Sequence, residues 1–495
     1  MTRKPEKLPI GVGLVVCVLV AMSALPLIGC DRSDEASQAP NAEIDEKLTE
    51  TRPRQAEQLS DDSHAPVAAE DTAETHYEKG SEHLQAGRYA EALAAYKKAI
   101  ATDPDYADAH LDIGVVHDNL GQHALAAASY KKTIALEPDN ALAHYNLGKA
   151  YGDLERYADA VAAYKRAAEL DPDDLDTHMN LGIAYLHWGR YPESLAASRK
   201  AIAIDPTNAW PYNNIGLVHR RCGRFAEALA AYKKAMSLDP DLAKAHYNMG
   251  NVYDCLNRHR YALAAYARAI EIDPNYAIAH SNTGMSCIKL GLYAEAIAAC
   301  KKSLQSDPSN TIAHENMGLA YGELGRYGDS IEAYKKAIAL KPAADTYNAL
   351  AGVYINCGYY VEAIAASKQA IAAKPNYAPA YYHLGVASRH YYENAAAIAA
   401  YKKAIALKPD FAEAYYGLGV ACRHAGQYTD AIAAYKKAVK IKPDYAEAYY
   451  NMGYVYHKLK RRDLAVAAYR KCIDIDSKSK ISYKARKAAS LLARQ

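Results

Sequence analysis

The sequence predicts an all-α fold assembled from about twelve copies of one helix–turn–helix unit, and three observations predict it. Proline recurs at Pro104, Pro138, Pro172, Pro206, Pro240, Pro274, Pro308, Pro342, Pro375, Pro409 and Pro443, at a fixed interval broken once by a single deletion near Ala343 and Ala344. Tyrosine outnumbers phenylalanine 43 to 2, and most tyrosines sit at fixed phases of that interval. Small residues recur in phase as well. A unit of about 34 residues holds two short helices and a turn but cannot bury its own apolar face, so copies must stack.

Counted from Ala73 with the proline at position 32, units start at residues 73, 107, 141, 175, 209, 243, 277, 311, 344, 378, 412 and 446. Helix A is predicted over about positions 1–14, with glycine near position 15 as its stop. Helix B follows and ends at the Asp-Pro or Lys-Pro pair. Position 8 is glycine in every unit except the ninth, which has Ala351, and position 20 is always Ala or Ser, from Ala92 to Ala465. Small residues facing each other let two helices approach closely, despite the roughly 1 kcal/mol that a mid-helix glycine costs. Position 24 is mostly tyrosine, as at Tyr96, Tyr164 and Tyr435, and supplies the knobs of the core.

These residues carry a family resemblance. In the third unit His144, Leu147, Gly148, Tyr151, Ala160, Tyr164, Ala167 and Pro172 stand on the eight signature positions of the tetratricopeptide repeat (TPR) family, with His or Tyr in place of the usual Trp at position 4. The chain resembles that family over residues 73–479. The resemblance implies a right-handed α-solenoid whose A helices line a concave groove. The third to eighth units are similar to the repeat region of O-linked N-acetylglucosamine transferases. Residues 480–495 alternate basic and apolar side chains and are expected to form a capping helix.

The N-terminus reads as an export signal over residues 1–29: Arg3, Lys4 and Lys7 open it, Leu8 to Gly29 carries no charge, and Leu27-Ile28-Gly29-Cys30 closes it. That tetrapeptide resembles the bacterial lipoprotein box, which implies cleavage before Cys30 and lipidation of its thiol. An uncleaved membrane anchor is the alternative, since about 20 apolar residues suffice to span. Asp31 implies, by the same resemblance, retention at the inner membrane of the cell envelope facing the periplasm, with the outer membrane as the alternative. Residues 30–72, rich in acidic and small polar side chains, read as a disordered acidic tether.

Position 6 faces the groove in this family and is Asn146, Asn180, Asn214, Asn248, Asn282 and Asn316 in consecutive units, then Asn451 in the last. Asparagine is a mediocre helix former, so its recurrence asks for a reason. A row of amides matches the donors and acceptors of an extended peptide backbone. The alternative is that the amides hydrogen-bond within the array. Units ten to twelve add Tyr382, Tyr416 and Tyr450 with Arg389 and Arg423, residue types often found as binding anchors. The chaperone-carboxylate clamp of some family members is not expected, because cations are missing beside the asparagines.

The remaining features exclude more than they assign. Net charge is +2 with pI near 7.9, too balanced to argue for a nucleic-acid partner. Histidines at position 4 lie on helices too far apart to share one metal ion, and the cysteines lack ligand spacing, so no metal and no cofactor is expected. Cys287 and Cys300 are expected as buried thiols, with a bridge between them as the lesser possibility. No P-loop, GxSxG or HExxH motif occurs, and the residues after the last unit leave no room for a nucleotide-sugar site. The expected role is therefore a non-catalytic, membrane-tethered scaffold that holds other proteins through extended peptide segments. The competing readings are a glycan-binding module and an accessory subunit of a glycosyltransferase.

Overall fold

A computed structural model describes residues 72–494; the export signal, Cys30 and the tether expected before them lie outside the described residues. Every regular element is an α-helix among the described residues, 25 in all, and they fall into two compact units spanning 72–274 and 275–494. Each unit stacks six helical hairpins, and the second adds a final helix, Lys480–Arg494, packed on the two helices before it. None of these helices is long and apolar enough to cross a membrane.

The third hairpin shows how the sequence builds each copy. Helix A runs Ala141–Asp153, and its start is held by the Asn140 side chain, which accepts a hydrogen bond from the Ala143 amide at 2.9 Å. Helix B runs Tyr157–Leu170 and stops at Asp171, which takes an extended conformation before the repeat proline. The turn residue at position 15 has positive φ in every hairpin, and it is glycine in eight of them. Glu155, Asn257, Tyr392 and Lys460 adopt the same left-handed conformation without that freedom. In the ninth hairpin, where one residue is missing, helix A extends to Ala344–Cys357 and Gly358 closes it.

The core lies between the A and B helices. Position 24 tyrosines are fully or almost fully buried, from Tyr96 to Tyr469. Each ring lies across the position 8 glycine of its own hairpin: a Cβ on Gly148 would stand 2.7 Å from Tyr164 Cδ1, and one on Gly216 would stand 2.4 Å from Tyr232 Cε1. The expected match of small residues at positions 8 and 20 is therefore incomplete. Where position 24 is small, as at Ser198, the position 20 carbonyl of Ser194 comes within 3.5 Å of that point; elsewhere the glycine chiefly makes room for an aromatic ring.

Position 4 histidines have a defined task. The Nε2 atoms of His110, His144, His178 and His246 lie 2.9–3.0 Å from the carbonyl oxygens of Pro104, Pro138, Pro172 and Pro240, which tie each A helix to the turn that leads into it. Cys287 and Cys300 are both buried and not disulfide-bonded, and burial pushes the Cys300 thiol up to about 12. The bridge considered for this pair is not formed.

Candidate functional site

The asparagine row depends on the residue 35 positions earlier, which is position 5 of the preceding A helix. Asn180 Nδ2 donates to the Tyr145 hydroxyl at 2.9 Å, Asn248 Nδ2 to Asn213 Oδ1 at 2.9 Å, and Asn316 Nδ2 to the Ser281 carbonyl at 2.9 Å. Asn451 Nδ2 donates to the Tyr416 hydroxyl at 3.1 Å and to the Glu447 carbonyl at 2.9 Å. Other polar residues at position 6 obey the same rule. His383 Nδ1 meets Asn348 Oδ1 at 2.8 Å, and Asp112 hydrogen-bonds with Tyr77 and with the Tyr96 hydroxyl at 3.2 Å. Each partner 35 positions away couples two successive A helices within one unit, so these side chains hold the stack in register.

This departs from the expected open row of amides. Asn180, Asn248 and Asn316 are buried with their donors used inside the array, because the helices pack closely enough for an amide to span from one to the next. Two members differ. Asn146 and Asn214 are preceded 35 positions earlier by Leu111 and Met179, which offer no acceptor, and neither amide hydrogen-bonds to another described residue. Asn146 is half-buried; Asn214 is 4% exposed. Asn282 is half-buried and has a partner among its neighbours. The signal that separates the two classes was present in the sequence, in the identity of the residue at position 5.

The tyrosines of units ten to twelve are also drawn inward. Tyr382 is only 6% exposed, with its ring 5.0 Å from Phe411 and 6.0 Å from Tyr401. It belongs to the core and does not line an open face as expected. The reason is geometric: position 5 leans toward the position 24 tyrosine of its own hairpin, as Tyr145 does on Tyr164 at 5.7 Å. Tyr416 and Tyr450 follow the same stacking, with Tyr445 and Tyr435 in one case and Tyr469 in the other, but both stay half-buried.

Arg389 and Arg423, at position 12 of their A helices, are half-buried with their guanidinium groups held in place. Each donates from Nη2 to the Nε2 of the next residue, His390 at 2.6 Å and His424 at 2.7 Å. The Arg423 guanidinium also stands over the Tyr454 ring, 5.3 Å from its centre. Burial and the adjacent Arg389 hold the His390 imidazole down at about 4, and burial with Arg423 lowers His424 too, so both rings are neutral acceptors near pH 7. No cluster of three or more His, Cys, Asp or Glu side chains able to hold a metal ion occurs among the described residues.

With the hairpins and their coupling described, the comparisons with known proteins give the class. Family descriptions reading "TPR repeat" match residues 218–254, 393–423 and 421–460. Others reading "Tetratricopeptide repeat" match 77–141 and 145–209, 198–230, 243–276, 278–310, 312–344, 344–377 and 446–479. The chain belongs to the tetratricopeptide repeat family. Among solved structures it is similar to the APC/C hetero-tetramer Cut9-Hcn1 at 16% identity, covering 84% of this chain and 96% of that one with a TM-score of 0.44. Yeast Tom70 aligns at 16% identity over 86% of this chain and 96% of its own, TM-score 0.37. MamA aligns at 30% identity over 33% of this chain and 96% of its own, TM-score 0.32. No curated protein sequence matches.

Proposed function

We propose that this protein is a non-catalytic scaffold that binds extended segments of partner proteins along its A helices, and that it does so tethered to a membrane on the exported side of the bacterial envelope. The observation that carries the binding reading is the pair of amides at Asn146 and Asn214. Asparagine in a helix costs stability relative to better helix formers. Asn180, Asn248, Asn316 and Asn451 recover that through a partner on the preceding A helix; these two do not, although their polar atoms keep an acceptor and two donors that match a peptide backbone. Within the second compact unit, Tyr416, Tyr450, Arg389 and Arg423 offer half-buried anchors on A helices of their own. Export and lipid attachment rest on the charged start, the apolar stretch and Leu27 to Cys30.

The binding reading is tested by crosslinking capture with the full chain and with the variant Asn146→Ala/Asn214→Ala. Capture should weaken while helicity and melting stay as they were. Equal capture by the variant would remove the amides from the account. Lipid attachment is tested separately by incorporation of labelled palmitate, which should disappear in Cys30→Ser.

A second reading, glycan binding, has its own observation. Tyr392 is 89% exposed in a left-handed turn at φ 65°, beside the half-exposed Tyr391 and just before helix Asn394–Leu407. Exposed aromatic faces suit sugar rings, and a bulky residue held in that conformation calls for a compensating role. Retention of Tyr392→Gly on an immobilised glycan to the same extent as the parent chain would discard it.

A further inference from the structure

The last described helix, Lys480–Arg494, differs in charge from every other described helix. It carries five cations, Lys480, Lys484, Arg486, Lys487 and Arg494, and no acidic residue. No other described helix has a net charge above +2, which is also the net charge of the whole chain.

Packing accounts for the inner face of this helix. Ser482, Ala485 and Leu492 are buried, and Ile481, Ala488 and Ala489 pack against the same core. The Ser482 hydroxyl donates to the Cys472 carbonyl at 3.0 Å, and the Ser479 hydroxyl starts the helix by accepting from the Ser482 amide at 3.3 Å. Closing a stack of hairpins requires that inner face and a polar outer one. The outer face here goes further. Lys480, Tyr483, Lys484, Lys487 and Leu491 fall at i, i+3, i+4, i+7 and i+11, so they form one stripe, and all of them are exposed. Tyr483 is 67% exposed and Leu491 54%, although neither is needed to hold the helix in place. Arg486 lies off the stripe and donates to the Ser477 carbonyl.

Cations interleaved with large apolar side chains match a surface that is anionic outside and hydrocarbon just beneath. That is the interface of a bilayer containing acidic phospholipid. A nucleic acid offers the phosphates but no hydrocarbon to receive Leu491. We propose that the outer face of Lys480–Arg494 docks on an anionic phospholipid surface, with Tyr483 and Leu491 at the acyl-chain boundary and Lys480, Lys484 and Lys487 on the headgroup phosphates. The proposal rests on the membrane-tethering reading above and gives the tethered chain a second contact with the bilayer. Tyrosine suits that depth because its ring is apolar while its hydroxyl stays among the headgroups. Each lysine adds an electrostatic increment that salt screens.

The test places a photo-crosslinking residue at Tyr483 in the full chain and, in parallel, at Tyr392, which is 89% exposed in the same compact unit. Each chain is mixed with vesicles of phosphatidylcholine alone or of phosphatidylcholine with phosphatidylglycerol. Position 483 should form a lipid adduct on the mixed vesicles, and the yield should fall roughly tenfold or more on neutral vesicles, in high salt, and in Lys480→Gln/Lys484→Gln/Lys487→Gln. Equal yields on both vesicles, an unchanged yield in the Gln variant with an intact circular dichroism spectrum, or an equal yield from position 392 would overturn the proposal. So would a crosslink from position 483 to protein, with no lipid adduct, in whole cells. Co-sedimentation separates this proposal from the tether it rests on. If the chain sediments with both vesicles but position 483 gives no adduct, the helix face alone falls. If it sediments with neither, the tether reading falls with it.

Discussion

Asn248 donates its amide to Asn213 across two successive A helices at 2.9 Å, whereas Asn214, beside Asn213 in the sequence, donates to no described residue. Adjacent asparagines thus carry different tasks. Asn248→Ala leaves the buried Asn213 carbonyl without its donor and should cost about 1–3 kcal/mol of stability, read from a urea midpoint. Asn214→Ala breaks no internal hydrogen bond and should leave the midpoint within about 0.5 kcal/mol. Equal effects from the two substitutions would undo the distinction between coupling and free amides.

The glycine at position 8 makes a second separable prediction. Gly250→Ala gains about 1 kcal/mol of helix propensity but sets a Cβ 2.4 Å from the fully buried Tyr266 ring, where overpacking costs about 1–3 kcal/mol. Net destabilisation is expected. In Gly182→Ala the nearest atom is the small Ser198 hydroxyl at 3.1 Å, so propensity should prevail and the melting temperature should hold or rise. A thermal melt of each variant decides the matter; destabilisation of Gly182→Ala as large as that of Gly250→Ala would contradict it.

Acid should act on the two units in opposite directions. Burial raises the Asp112 carboxyl to about 6, so the folded state holds its proton more tightly than the unfolded chain does. Stability from this group is present at low pH and lost as pH rises through about 6, so a step from pH 7 to 5 should strengthen residues 72–274 by about 1 kcal/mol. Burial lowers His383 to about 4, and stability from that ring is present above its ordinary value and lost as pH falls toward 4. The same step should weaken residues 275–494 by about 2 kcal/mol through His383. Urea unfolding at both pH values, repeated with Asp112→Asn and with His383→Asn, isolates each contribution. Retention of the full pH response in either variant would assign it elsewhere.

The fold was almost wholly legible because its signals repeat. One proline, one glycine and one tyrosine at fixed phases specify a hairpin, and their recurrence places every helix within a residue or two. The candidate site was less legible because its logic runs between hairpins. Asn146 and Asn180 are the same residue at the same phase, yet Leu111 leaves the first amide open while Tyr145 occupies the second. Tyr382 misled for a related reason: position 5 can point along the A helices or lean onto the core, and Phe411 together with Tyr401 draws it into the core. Arg389 and Arg423 were visible as cations, but their fixing by His390 and His424 emerges only from the geometry of the last helical turn.

The central claim is that partner polypeptide lies along the A helices and not on the B helices. A photo-crosslinking residue placed at Tyr450, on helix A of unit twelve, and in parallel at Lys436, on helix B of unit eleven, tests it most directly in the full chain. The account predicts crosslinked partner from position 450 and none above background from position 436. Partner captured at Lys436 with none at Tyr450 would contradict it.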